Sequence, residues 1–187
     1  MESTRLSTLA GPDSTPARLI IVGAARIAEA LAPMAKLAGL EVVVVDPRRT
    51  FATPDRFPGI ALSGDSPQVA LERARIDRRT AVVSLAHDAQ LDDPTLSAAL
   101  RSEAFFVGCL GGRGTQAALR ERLRAQGLGD ADLARLNGPV GLRIGASTPG
   151  EIAVSILAQV VAAFRGGEPD SKVSCAAGSG PERKPEG

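Results

Sequence analysis

Leu19-Ile20-Ile21-Val22-Gly23-Ala24-Ala25-Arg26-Ile27-Ala28 decides the fold. A short apolar run meets a glycine, and a helical pattern follows over 25–38 with Ile27, Leu31, Met34 and Ala38 on one face. A buried strand that turns through glycine into a helix is the first half of a βαβ unit. Pro33 falls inside the helical pattern and is expected to bend it by removing one hydrogen bond. Val42-Val43-Val44-Val45 is β-branched throughout and predicts a second strand, buried on both faces.

Working onward, 46–58 reads as a long loop and Gly59–Leu62 as a short strand. Ser66-Pro67 opens a helix to about 76, with Pro at its first position. Thr80–Leu85 is the next strand, and Asp93-Pro94 is expected to start the helix after it. Ala104–Val107 predicts a strand, Thr115–Gln126 a helix, 130–136 a helical turn and Leu142–Ile144 a last strand. Thr148-Pro149-Gly150-Glu151 is a capping box for a final helix over 149–164. Strands separated by helices give an α/β fold: a single-domain, doubly wound, mainly parallel Rossmann-like sheet with strand order 3-2-1-4-5.

Length and composition agree with one folding unit. The chain has 187 residues, 44% of them hydrophobic. The segment 1–17 and the Gly/Pro/Ser-rich segment 166–187 are too poor in core residues to offset chain entropy, so both are expected to be disordered tails around a domain at 18–165. A net charge of +1 argues against a nucleic-acid partner. No apolar run reaches membrane-spanning length, and the first residues lack the apolar stretch of a secretory signal, so the default compartment is the cytoplasm. One His and two Cys make a poor structural zinc set, and no metal site is expected. Cys175 lies in the tail and reads as a spectator thiol; Cys109 reads as a small buried hydrophobe rather than a functional group.

In such sheets ligands bind beyond the carboxyl ends of the strands, which singles out the loops 23–26, 46–58, 86–93 and 108–114. Gly23 stands where a G-x-G-x-x-G/A fingerprint begins, but its middle glycine is Ala25, whose Cβ should obstruct a dinucleotide bound in the usual way. The turn is either a single-phosphate site at a helix N-terminus or a structural corner. Asp46 ends the second strand, where an acid receives a ribose hydroxyl in NAD sites, and Arg48 beside it suits an anion. Asp46 capping its own turn is the alternative. His87, the only histidine, either moves protons or binds a heterocycle, or orients the loop 88–93. Gly108, Gly111 and their glycine neighbours let the backbone turn sharply or approach a ligand, and Arg113 could meet an anion. On the final helix, Ile152, Ile156, Val160 and Ala163 form one apolar stripe and Val154, Leu157, Val161 and Phe164 a second; burial on two sides implies a thick domain layer or a partner.

Taken together these loops resemble the Rossmann-type C-terminal domain of the XdhC/CoxI family. The resemblance covers about 19–165 and rests on Gly23-Ala24-Ala25-Arg26-Ile27-Ala28, Val45-Asp46-Pro47-Arg48, Phe51-Ala52-Thr53-Pro54-Asp55-Arg56-Phe57-Pro58, His87-Asp88 with Leu91-Asp92-Asp93-Pro94, Phe106-Val107-Gly108-Cys109-Leu110-Gly111, Ile144-Gly145-Ala146-Ser147-Thr148-Pro149, and Glu151-Ile152-Ala153. It implies a maturation chaperone rather than a turnover enzyme. Such a protein binds the molybdenum cofactor, as molybdopterin or its cytosine dinucleotide form, protects it during sulfuration by a cysteine desulfurase, and delivers it to a xanthine dehydrogenase or CO dehydrogenase type molybdenum hydroxylase. The family turn reads Gly-x-Gly-His, whereas this chain has Ala25 and Arg26, so Arg26 would put a fixed charge where the family has a polar contact. Nothing before residue 18 resembles the family's N-terminal module with its Ser-Gly-Gly-Cys segment, which implies a separate module, a homodimer or a hetero-complex. The cofactor-contact set is then Gly23, Arg26, Asp46, Arg48, His87, Gly108, Gly111 and Arg113, with no catalytic residue. The competing readings are an NAD(P)-dependent oxidoreductase, drawn from Asp46, and a nucleotide-sensing regulatory module.

Overall fold

Side chains alternate along the first strand, β1 (Arg18–Val22), and all but the first are buried. Leu19 and Ile21 enter one core, Ile20 and Val22 another. A strand buried on both faces must be central, and β1 is. The computed structural model describes residues 16–167. In chain order β1 is followed by α1 (Arg26–Leu37), β2 (Glu41–Val45), β3 (Ala61–Ser63), α2 (Pro67–Ala74), β4 (Thr80–Ser84), α3 (Ala89–Leu100), β5 (Phe106–Cys109), α4 (Arg113–Ala125), α5 (Asp130–Ala134), β6 (Leu136–Asn137) and α6 (Pro149–Phe164). The sheet order is β3-β2-β1-β4-β5-β6, and every pairing is parallel.

The expected doubly wound, single-domain architecture is therefore present. On one face Leu31 and Ala35 of α1 and Ile156 and Val160 of α6 cover Leu19, Ile21, Val42, Val44 and Val83. On the other Leu71 of α2, Leu96 and Leu100 of α3, and Leu119 and Leu123 of α4 cover Ile20, Val22, Val45, Val82 and Val107. Val43 is only half-buried, so β2 does not reach the full burial its composition suggests.

Several boundaries differ from the sequence expectation. The helix after β4 starts at Ala89, not at Asp93-Pro94: Asp88 is its N-cap and accepts from Gln90 N–H at 2.9 Å, leaving Pro94 inside the helix. The strand expected at Ala104–Val107 is Phe106–Cys109, and the one at Gly59–Leu62 is Ala61–Ser63. The last strand is Leu136–Asn137, paired with Val107 and Gly108. Leu142–Ile144 is not a strand; it lies between Gly141 at φ +109° and Gly145 at φ +76°, and Leu142 N–H donates to Ser155 O on α6 at 3.1 Å. The expected tails fall mainly on 1–15 and 168–187, outside the described residues, as does Cys175; Ala17 is fully buried in the core. Among the described residues no helix is long and apolar enough to cross a membrane. Nor is any group of three or more His, Cys, Asp or Glu placed to hold a metal ion.

Candidate functional site at the carboxyl ends of the strands

Gly23 is required twice over. Its φ is +98°, and a Cβ there would stand 2.6 Å from Ala86 N on the loop after β4. Its N–H donates to Val45 O at 2.9 Å, while Leu85 N–H donates to Val22 O at 2.8 Å, so the ends of β2, β1 and β4 lie side by side. Ala24 then leaves the strand, and its N–H donates to Asp46 Oδ2 at 2.9 Å.

Asp46 is fully buried, and its carboxylate is filled from within the chain. Oδ1 accepts from Arg48 N–H at 3.0 Å and Arg48 Nε at 2.9 Å; Oδ2 accepts from Arg48 Nη2 at 2.8 Å as well as from Ala24. Burial acts to raise the Asp46 carboxyl, but the hydrogen bonds from the Arg48 side chain and from the Ala24 and Arg48 backbone outweigh it and hold the group below the usual carboxylate range. The contact it makes is thus to Arg48 and the β1–α1 turn. Arg48 is the group that faces outward: its side chain is 40% exposed, and Nη1 makes no hydrogen bond among the described residues. Arg26, at the first position of α1, is exposed and makes no hydrogen bond or ion pair among the described residues.

Arg56 and Phe51 complete this cluster, and sequence reasoning did not select them. Arg56 donates from Nε to Glu29 Oε1 at 2.5 Å, from Nη1 to Phe51 O at 2.5 Å and from Nη2 to Ala24 O at 3.0 Å. It clamps the 46–58 loop to the turn after β1. The motif held Arg56 in plain view, but two of its three acceptors are backbone carbonyls, and one stands 32 positions away.

His87 is exposed and sits in the left-handed region at φ +53°. Among the described residues it makes no hydrogen bond, and the capping of α3 is done by Asp88 instead. Below it, Ser84 O–H donates to Asp92 Oδ1 at 2.5 Å. Burial raises the Asp92 carboxyl above its ordinary value, against the hydrogen bond from Ser84. This buried pair was a further site feature not selected from sequence.

The loop after β5 divides its glycines between packing and turning. Gly108 lies within β5, where a Cβ would stand 2.5 Å from Val140 Cγ2; its role there is close packing. Gly111 turns at φ +138°, and a Cβ there would meet Gln116 Nε2 at 3.2 Å. Gln116 is buried and donates from Nε2 to Cys109 O and Leu110 O, both at 3.3 Å, pinning the loop. Arg113 opens α4, and its side chain lies outside the described residues. Cys109 is buried, and burial pushes its thiol up to about 12. At neutral pH it is protonated and a poor nucleophile.

The family model described as the XdhC Rossmann domain matches residues 19–160. The chain is 29% identical over 154 residues to the molybdenum cofactor insertion chaperone PaoD of Escherichia coli, covering 82% of this chain and 42% of that protein. It is 31% identical over 145 residues to a probable xanthine dehydrogenase subunit from Bacillus subtilis, covering 77% and 42%. The crystal structure of a xanthine dehydrogenase from Bacillus halodurans superposes with a TM-score of 0.71 at 32% identity, covering 82% of this chain and 44% of that one. The chain therefore spans under half the length of each of these relatives.

Proposed function

The chain belongs to the XdhC family by its Rossmann domain, and from that membership we propose that it binds the molybdenum cofactor as cargo during maturation of a molybdenum hydroxylase. Its client in this reading is an enzyme of the xanthine dehydrogenase type, with a CO dehydrogenase type enzyme as the alternative. The chain helps protect the cofactor, present it for sulfuration and insert it. The observation that carries the reading is Arg48, held in a fixed orientation by the buried Asp46 carboxylate with Nη1 left over, beside the turn that opens α1. Molybdopterin carries a phosphate, and a pre-oriented guanidinium next to a helix N-terminus is suited to it. The similarity to PaoD, a molybdenum cofactor insertion chaperone, supports the same reading.

The chain's own contribution is binding and orientation. In this reading sulfur is supplied by a partner cysteine desulfurase, and the buried Cys109, its thiol pushed up to about 12, is not given a sulfur-relay role. Gly23, Arg26, Arg48 and His87, which lie at or just beyond the ends of β1, β2 and β4, make up the contact set in this reading. Asp46 supports that set by fixing Arg48, while Gly108 and Gly111 shape the neighbouring loop after β5. The filled Asp46 carboxylate weighs against the NAD(P) alternative, since the acid that would meet a ribose already serves Arg48 and Ala24.

The test is pterin content. The protein purified from cells competent for cofactor synthesis is denatured and oxidised, and the released fluorescent pterin is quantified beside a preparation from cells that cannot make the cofactor. Near-stoichiometric pterin in the first alone is the expected result. No pterin in either, with micromolar binding of NAD(H) or NADP(H), would overturn the reading.

A further inference from the structure

The guanidinium of Arg48 lies over the ring of Phe51, its central carbon 4.6 Å from the ring centroid. Phe51 is 42% exposed in a chain with five Phe and neither Trp nor Tyr. The loop is not free to hide it. Phe51 N–H donates to Arg48 O at 2.9 Å, Phe51 O accepts from Arg56, and Arg48 is fixed by Asp46. An exposed phenyl ring on a tethered loop is left in water beside the β1–α1 turn without joining either core. The layer is also braced: Arg56 stands 5.8 Å from the Phe51 centroid while bonded to Ala24 O on the β1–α1 turn.

We propose that the Arg48–Phe51 layer is a stacking surface for a planar heteroaromatic ring that carries a phosphate, with Arg48 Nη1 donating to that phosphate. Rings of this class stack on aromatic side chains and on guanidinium planes alike. A guanidinium already paired with a carboxylate keeps its plane fixed, so the ring meets an ordered surface. The inference rests on the cargo reading for its most interesting ligand, a phosphorylated pterin, but the surface would serve a nucleoside monophosphate by the same chemistry.

Phe51→Ala, Phe51→Leu and Phe51→Trp in the full chain separate these cases. The probes are cytidine monophosphate, guanosine monophosphate, ribose 5-phosphate and the phosphorylated pterin released by oxidising molybdopterin, each titrated by calorimetry. Phe51→Ala and Phe51→Leu are expected to weaken the ring-bearing probes roughly tenfold and to leave ribose 5-phosphate and the melting temperature unchanged. Phe51→Trp supplies the chain's sole indole, whose fluorescence a stacked ring should quench. Ring-bearing probes that bind Phe51→Ala as tightly as the unmodified protein would overturn the proposal. So would an unmodified protein that binds ribose 5-phosphate as well as the nucleotides, or that binds no ring-bearing probe at millimolar concentration. Preference for the pterin supports stacking and the cargo reading together. Preference for a nucleotide, lost in Phe51→Ala, keeps the stacking surface and counts against the cargo.

Discussion

Two buried aspartates, Asp46 after β2 and Asp92 on α3, are shifted in opposite directions: at Asp46 four donors outweigh burial, whereas at Asp92 burial outweighs the Ser84 hydroxyl, the His87 side chain and the Asp88 backbone N–H. Asp46 receives Ala24 N–H and three donors of Arg48, and its folded value is lowered. Its contribution is present above its unfolded value of about 3.9 and is lost as pH falls through the lower folded value. Asp46→Asn turns an amide toward guanidinium donors. We expect a loss of about 2 kcal/mol in urea denaturation at pH 7, discounted for the exposure of Arg48, and a flatter acid limb. Asp92 has a raised folded value, so the protonated form is favoured in the fold. Its contribution is present below the unfolded value and declines as pH rises through the folded one. Asp92→Asn keeps an acceptor for Ser84 and should stay within about 1 kcal/mol of the unmodified protein at pH 7, with a smaller decline as pH rises above the unfolded carboxylate range. A loss at pH 7 as large as that of Asp46→Asn would contradict this account. Sequence placed Asp46 and Arg48 together at the end of a strand, and the alternative of Asp46 capping its own turn is present in the bond from Arg48 N–H, but the spacing does not tell that the Arg48 guanidinium also turns back on Asp46. In the folded chain Asp46 is fully buried, so its carboxylate has no water to turn to and is satisfied by these donors.

Element boundaries were legible where the partners are near in sequence and lost where they are not. Thr148 and Glu151 are three positions apart and form the capping box read from the sequence: Thr148 Oγ1 accepts from Glu151 N–H at 3.2 Å, and Glu151 Oε2 accepts from Thr148 N–H at 2.9 Å. The backbone N–H groups of Ser147 and Thr148 draw the Glu151 carboxyl down to about 2. Thr148→Ala should cost about 1 kcal/mol, measured by thermal unfolding, and should bring the Glu151 titration in an NMR pH series back toward ordinary values. A Glu151 titration unmoved by Thr148→Ala would mean that the Ser147 and Thr148 backbone N–H groups keep their places without the Thr148 hydroxyl. By contrast, Asp88 and Asp93 each precede an apolar helical pattern, and proline at 94 favoured the wrong one; Asp88 wins because Leu91 and Asp92 are already helical and buried. The strand expected at Leu142–Ile144 fails for a longer-range reason. Val107 and Gly108 offer an edge that Leu136–Asn137 reaches first, straight after α5, and the segment beyond is drawn onto α6. The second α6 stripe also finds most of its cover at home: Leu157, Val161 and Phe164 pack against the chain's own core, with Phe164 5.2 Å from the Phe105 ring, and Val154 remains exposed.

For the whole molecule, strand order was the most legible property, since parallel strands with right-handed crossovers leave few alternatives. That order makes β1 a member of two cores at once. Ile20, 1% exposed, packs with α2, α3 and α4, and Ile21, 0% exposed, packs with α1 and α6. Neither layer can open without removing one wall of the other, because the hydrogen-bonded strand between them is common to both. The domain should therefore unfold as one unit. Ile20→Ala and Ile21→Ala each delete buried methyl groups on opposite faces, and each should cost about 2–5 kcal/mol. Calorimetry should give a single endotherm for the unmodified protein and for each variant, moved to lower temperature in both. Amide exchange should lose protection on α1, α3, α4 and α6 together, whichever face carries the substitution. Two endotherms, or protection lost only from α1 and α6 in Ile21→Ala, would mean that the layers are energetically separate and that β1 does not couple them.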